Sequence, residues 1–245
     1  IKTILNYSPN FDSKKRAKKQ IKFIIFHYTG MKKESDAINK LTNIQSQVSC
    51  HYLIKNSGKI IKIVPNLYIA WHAGKSSWKR LNSLNKYSIG IEITNPGSQF
   101  GYKKFSKKQI SAILRLSKFL VKKYKINNKN ILGHSDVSPE RKKDPGEKFP
   151  WKYLSQNKIG LWHTLKDKEL RKSRKLKTNK VEKDFFFKNL FKIGYPNKLP
   201  KDLNKNKYLR DLTKAFQRRF RQELIDGTID RECLFISINL IKKYN

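Results

Sequence analysis

The run "KFIIFHYTG" at residues 22–30 limits what this chain can fold into more than any other stretch. It is short, unbroken in its apolar character and closed by Gly30, the pattern of a strand buried inside a fold rather than lying at its surface. The neighbouring segments agree with it. "SCHYLIKNSGKIIKIVP" (49–65) reads as a hairpin about Asn56-Ser57-Gly58. "SIGIEITNPG" (88–97) alternates, placing Ile89, Ile91 and Ile93 on one face and Gly90, Glu92 and Thr94 on the other. Residues 106–126 carry an N-cap serine and apolar positions at a helical period, and "NILGHSD" (130–136) reads as a short strand ending at His134. Strands with interspersed helices predict an α/β layer fold for the first part of the chain.

Beyond it the character changes. Residues 165–183 are almost wholly charged or polar, and 161–184 reads as a charged linker or a solvated helix. Residues 185–245 then hold three amphipathic helical patterns, enough for a small all-α domain.

The charge is extreme, with 56 Lys+Arg against 18 Asp+Glu and a formal net charge of +38. Such a field attracts polyanions. The lysines are nevertheless scattered through every segment, and no nucleic-acid-binding module is recognisable, so no specific nucleic-acid partner is expected. No apolar run approaches the ~18 residues that cross a bilayer. The first residues lack an apolar core followed by a cleavage site, which for a complete chain predicts a cytoplasmic location, with periplasm or cell envelope as the alternative. Cys50 and Cys233 form no CxxC, which argues against a disulfide framework and against a cysteine-based zinc site.

Of five histidines, each taken singly is more often structural than a ligand. His27 and His134 stand out because both end an apolar strand, where side chains emerge from a rigid sheet edge. A hydrolytic zinc site needs three protein ligands and an open position, and without an HExxH motif it would have to be assembled from distant segments. Spacing alone leaves that open, and Asp136, beside His134, is the most conspicuous acid. Asp144 precedes Pro145 and is biased to extended backbone, so that Lys142 and Asp144 face one way and Lys143 the other. Glu92 shares its strand face with Gly90 and Thr94, a face too polar to be packed as core.

Five motifs in series, "IIFHYTG", "VSCHYLI", "AWHAGKSSW", "SIGIEITNPG" and "GHSDVSPERKKDPGEKFPW", resemble the zinc-dependent N-acetylmuramoyl-L-alanine amidases of the type 2 superfamily, in its AmpD/AmiD branch. The same superfamily includes peptidoglycan-recognition proteins and phage T7 lysozyme. The resemblance implies a central mixed β-sheet flanked by helices over residues 1–160, followed by a three-helix domain at 185–245 similar to peptidoglycan-binding domains. It implies a Zn²⁺ ion held by His27, His134 and Asp144, with Glu92 as general base and Lys142 stabilising the oxyanion. The substrate implied is peptidoglycan or a muropeptide. Trp71, His72, Tyr28 and Asn95 are expected beside the substrate, His51 as support, and His163 at the surface. Where the T7 lysozyme type places a tyrosine, this chain has Cys50, which favours a mechanism through Glu92. Some members of the superfamily bind peptidoglycan without cleaving it, and a non-catalytic binding protein is the alternative.

Overall fold

The computed structural model describes residues 1–244. At its centre β1 (Ile4–Leu5), β5 (Ile60–Lys62), β4 (Tyr52–Ile54), β9 (Ser88–Ile93), β3 (Phe23–Tyr28) and β10 (Ile131–Gly133) lie side by side in that order. The hairpin β4–β5 is antiparallel and the other pairings are parallel, so the sheet is mixed, as the family resemblance implies. Two short ribbons stand apart, β2 (Phe11–Asp12) with β6 (Ile69–Ala70) and β7 (Ser77–Trp78) with β8 (Leu81–Asn82).

The apolar run at 22–30 is covered on both faces. Ile24 and Phe26 cluster with Ile89, Ile91 and Ile93 and with Ile113, Leu116 and Leu120 of helix α2 (Lys107–Tyr124). Phe23 and Ile25 join a second cluster on the opposite face. Helix α2 begins where Ser106 and Gln109 form a reciprocal capping box, each side chain accepting the other's backbone N–H. Helix α1 (Glu34–Thr42) tucks Ala37 and Leu41 inward. His134 lies one residue past β10, as the first residue of the short helix α3 (His134–Val137), so the strand ends at Gly133.

After α4 (Trp151–Gln156) the chain continues into α5 (Asp167–Ser173), α6 (Lys180–Ile193), α7 (Lys205–Phe220) and α8 (Arg231–Tyr244). The charged stretch 161–184 is therefore not a free tether. Leu170 and Ser173 are buried, Arg174 bonds the buried Glu232, and the lysines point outward with their charges in water. His163, expected at the surface, is buried and stacked on Trp162. Phe186, Leu190, Tyr195, Leu212 and Phe216 share one apolar cluster with Phe23, Ile25, Trp78, Leu132 and Val137 of the sheet region. At Gly194, with φ +136°, an added Cβ would lie 2.5 Å from the Trp78 ring, so only glycine lets the turn after α6 close on the sheet.

A polar tie runs through this apolar contact. Asp136 Oδ2 accepts from Arg219 Nη1 at 2.6 Å and from the Gly133 N–H at 2.8 Å, and its Oδ1 accepts from the Tyr195 hydroxyl at 2.8 Å. Arg219 also donates to the Ile131 carbonyl at 2.9 Å and lies over the Trp151 ring, 4.4 Å from its centroid. Asp136 and Arg219 are 1% and 3% exposed, so removing either partner strands a charge away from water. Arg219→Met is expected to lower the unfolding free energy by ~3–5 kcal/mol, whereas Lys118→Ala on exposed α2 surface changes it by under about 0.5 kcal/mol. Urea-unfolding curves of the two variants beside wild type check this.

Candidate metal centre and catalytic cleft

The site is laid out first by strand register. β3 and β9 pair in parallel with His27 opposite Glu92, so the two side chains leave one face of the sheet from adjacent strands, about 4.8 Å apart in the backbone. A slip of one residue in either strand would turn that strand's side chain into the apolar layer beneath α2. β10 pairs on the other side of β3, with Gly133 opposite Phe26, and delivers His134 beside His27. The loop after α3 returns to place Asp144 with them, its carbonyl accepting from the Ser135 N–H at 2.9 Å.

His27 Nδ1, His134 Nδ1 and Asp144 Oδ2 stand 3.0 Å from one another in a triangle, and all three residues are buried. The hydrogens of the two rings can be assigned from their other bonds. Ser88 donates its single hydroxyl hydrogen to the Leu84 carbonyl at 2.6 Å, so its oxygen accepts from His72 Nε2 at 3.0 Å. That leaves His72 Nδ1 bare, and it accepts from His27 Nε2–H at 3.0 Å. His134 Nε2–H donates to the Ala73 carbonyl at 3.1 Å. Both Nδ1 atoms therefore carry lone pairs that converge with a carboxylate oxygen, with no hydrogen between them. Such an arrangement is repulsive unless a cation sits at its centre, and the His-His-carboxylate donor set fits a divalent metal.

The electrostatics agree. Burial, and then the neighbouring His134, lower His27 to about 4, so the ring is neutral and free to donate its lone pair. Burial also drives His72 well below the ordinary histidine value, followed by the effects of His27 and His51. For Asp144 burial acts upward, yet the adjacent His134 and His27 rings hold its carboxyl well below the usual carboxylate range.

Glu92 differs from Asp144. Burial and then the Asp144 charge push it up to about 8, with Lys142 pulling the other way. Its Oε2 is enclosed without a hydrogen-bond partner. Cys50 is fully buried near it, its thiol donating to the Tyr52 carbonyl. His27, Glu92, His134, Lys142 and Asp144 line one cleft of about 400 Å³, together with Trp71, His72 and Tyr28.

The other expected residues divide. Trp71 borders the cleft with its indole N–H on Asp12 at 2.7 Å, and the Tyr28 hydroxyl meets Ser98 at 3.3 Å. His72, expected beside the substrate, is also the partner that fixes the tautomer of His27. Asn95 does not line the cleft. It is buried, with its amide donating to the Lys103 carbonyl and its Oδ1 accepting the Gly97 N–H, so it shapes the 95–103 loop. His51 accepts the Gly90 N–H on Nδ1 and meets the Tyr68 carbonyl through Nε2, in support of the sheet. Lys143, expected to face outward, is exposed but borders the cleft. Arg141 is not a free cation: its guanidinium bonds the Ala73 and Lys75 carbonyls at 2.6 and 2.7 Å and fastens the loop that faces His134. Gly90 carried a signal that was legible but unread: a Cβ there would lie 2.4 Å from the His72 ring, so the gap in the alternating strand is the seat of that histidine.

A two-histidine, one-carboxylate donor set beside an ionisable glutamate in an open cleft is the layout of a metal-dependent hydrolase. The chain belongs to the N-acetylmuramoyl-L-alanine amidase family, whose model matches residues 17–147. It is 34% identical over 240 residues to the N-acetylmuramoyl-L-alanine amidase AmiD of Escherichia coli, covering 92% of this chain and 84% of AmiD. It is 39% identical over 116 residues to the 1,6-anhydro-N-acetylmuramyl-L-alanine amidase AmpD of Haemophilus influenzae, covering 46% of this chain and 61% of that protein. Among solved structures, AmiD of E. coli in complex with anhydro-N-acetylmuramic acid-L-Ala-D-γ-Glu-L-Lys superposes with a TM-score of 0.79 at 31% identity, over 92% of this chain and 90% of that one. AmpDh3 of Pseudomonas aeruginosa gives the same TM-score and identity over 96% and 97%. Among the described residues no helix is long and apolar enough to cross a membrane.

Because the His72 relay sets which nitrogen of His27 is bare, His72→Phe and Gly90→Ala are each expected to weaken divalent-metal binding by about 10–100-fold. Calorimetric titration of metal-free protein with Zn²⁺ measures this without recourse to activity.

Proposed function

We propose that this protein hydrolyses the amide bond between the lactyl group of N-acetylmuramic acid and L-alanine in a muropeptide, with Zn²⁺ held by His27, His134 and Asp144. The observation that carries the reading is Glu92: a carboxylate raised to about 8, with an unpartnered oxygen, one strand away from a three-donor metal centre. The AmiD complex, which covers nearly the whole chain, supports the substrate class.

When bound, zinc supplies Lewis acidity, activating a water and polarising the scissile carbonyl. The protein's own groups do the rest. Glu92 takes the proton of the attacking water as its oxygen bonds to the carbonyl carbon, then passes that proton to the alanine nitrogen as the C–N bond breaks. A glutamate raised close to neutral pH suits both transfers, since it neither holds the proton too tightly nor refuses it. Lys142, on the cleft wall, places an ammonium group to stabilise negative charge on the carbonyl oxygen. Asp144 stays ionised beside Glu92, so the two carboxyl groups divide into ligand and base by environment.

Glu92→Gln is expected to lower kcat on a muramoyl-peptide by at least about 100-fold while Zn²⁺ still binds. Lys142→Met is expected to lower kcat by about 100–1,000-fold with a smaller change in KM. Reverse-phase separation of the released peptide measures both; wild-type rates in either variant would remove that residue from the mechanism. Dialysis against a chelator should abolish turnover and added Zn²⁺ should restore it.

A further inference from the structure

Helix α2 covers the face of the sheet opposite the one from which His27 and Glu92 project. Its own outer side is built of cations: apart from Ser111 and Phe119, every exposed residue of the helix is a lysine or an arginine. The strand edge beside it continues the pattern. Lys62 pairs with Tyr52, which packs under α2, and with Leu5, so Lys62 and Leu5 both stand on the α2 side. Lys62 and Lys123 border two adjoining cavities of about 120 and 280 Å³, Lys15 borders the larger, and no acid lines either.

A high lysine content alone does not account for this face, because acids are missing from it as well. Of the 18 acids only Asp12, Glu34, Asp36 and Glu92 precede Asp136. Asp12 bonds the Trp71 indole, Glu34 holds Lys55, Asp36 lies on α1 and Glu92 faces the cleft. Among the described residues no cation of α2 forms an ion pair, nor does Lys15 or Lys62. Lys15 and Lys123 lie instead over aromatic rings, 5.6 Å from the Tyr68 centroid and 5.5 Å from that of Phe119. Apolar side chains stand among these charges. Leu5 and Phe119 are 59% and 38% exposed, and Phe119 shares the smaller cavity with Lys62 and Lys123. A soluble polyanion calls for the cations alone. A bilayer interface takes both kinds of group, phosphates against the ammonium heads and apolar carbon below them.

We propose that the α2 face is a docking surface for a bilayer that contains anionic phospholipid. Lys62, Arg115, Lys118, Lys122 and Lys123 meet the headgroup phosphates, and Leu5 and Phe119 enter the interface between them. The mode is peripheral, since none of the described helices is long and apolar enough to span. It also orients the protein: the cleft lies on the opposite face of the sheet, so a molecule seated on α2 keeps His27, Glu92 and Asp144 turned toward water. The inference is independent of the activity proposed above.

Sedimentation of the full chain with vesicles tests it, using phosphatidylcholine alone and phosphatidylcholine with about one-third phosphatidylglycerol. Wild type should bind the mixed vesicles and not the neutral ones. Arg115→Gln, Lys118→Gln, Lys122→Gln and Lys123→Gln together should weaken binding by at least about 100-fold. The same change at Lys183, Lys188, Lys198 and Lys201, exposed on and just after α6, removes equal charge and should weaken it by under about 10-fold. Leu5→Ser with Phe119→Ser should weaken vesicle binding by about 10-fold or more and leave binding to soluble polyphosphate unchanged. Wild type that ignores the mixed vesicles would overturn the proposal whatever the variants do. Equal losses in the two fourfold variants would reduce the effect to the general field of the chain. Vesicle binding indifferent to Leu5 and Phe119 would put a soluble polyanion in place of the bilayer. Either of these results also overturns it.

Discussion

A buried carboxylate–guanidinium pair ties the metal loop to the rest of the molecule. Asp136 sits two residues beyond His134, and its partner Arg219 is 83 positions further along the chain. The pair is enclosed; Gly133 and Tyr195 also donate to Asp136, and Arg219 also donates to the Ile131 carbonyl. A buried pair of this kind contributes little net stability over an apolar contact of the same size, but it admits few alternative arrangements. Here the arrangement it specifies matters, since the segment from His134 to Asp144 carries two of the three groups that could hold a metal ion. The C-terminal helices are therefore part of the frame of the site and share its apolar core.

A second constraint acts on protons. The hydroxyl of Ser88 gives its hydrogen to Leu84, and that choice passes through His72 to His27, leaving the donor nitrogen bare. Such a relay has to be buried, because water would offer each ring an alternative partner and blur the tautomer. It also has to be close, which is why residue 90 has no side chain. The same enclosure that keeps the histidines neutral raises Glu92, so one feature, exclusion of water from this face of the sheet, sets the protonation of both.

Acids are scarce in this chain, 18 against 56 cations, and the buried ones are put to particular use. Asp144 joins His27 and His134, Asp136 meets Arg219, and Asp230 and Glu232 lie against Arg221 and Arg174. Sequence adjacency favoured Asp136 as the partner of His134, and only the fold shows that its two oxygens are already engaged. The stretch 161–184 was hard to read for a related reason. Within α5, Leu170 is the one buried leucine among many cations, which leaves almost no periodic signal although it docks the helix.

Sequence by itself determined the sheet and its two faces. The apolar run of β3, the alternation of β9 and the capping box of α2 are local patterns whose physical meaning does not depend on distant residues. It also singled out His27, His134 and Glu92 as side chains standing at strand ends or on a polar strand face, with family resemblance supplying their roles. Tertiary structure decided what no local pattern encodes: the His27–Glu92 register, the relay through His72 and the inward turn of Asp136. Each of these depends on which groups become neighbours once water is excluded, and that is settled by the packing of segments far apart in the chain.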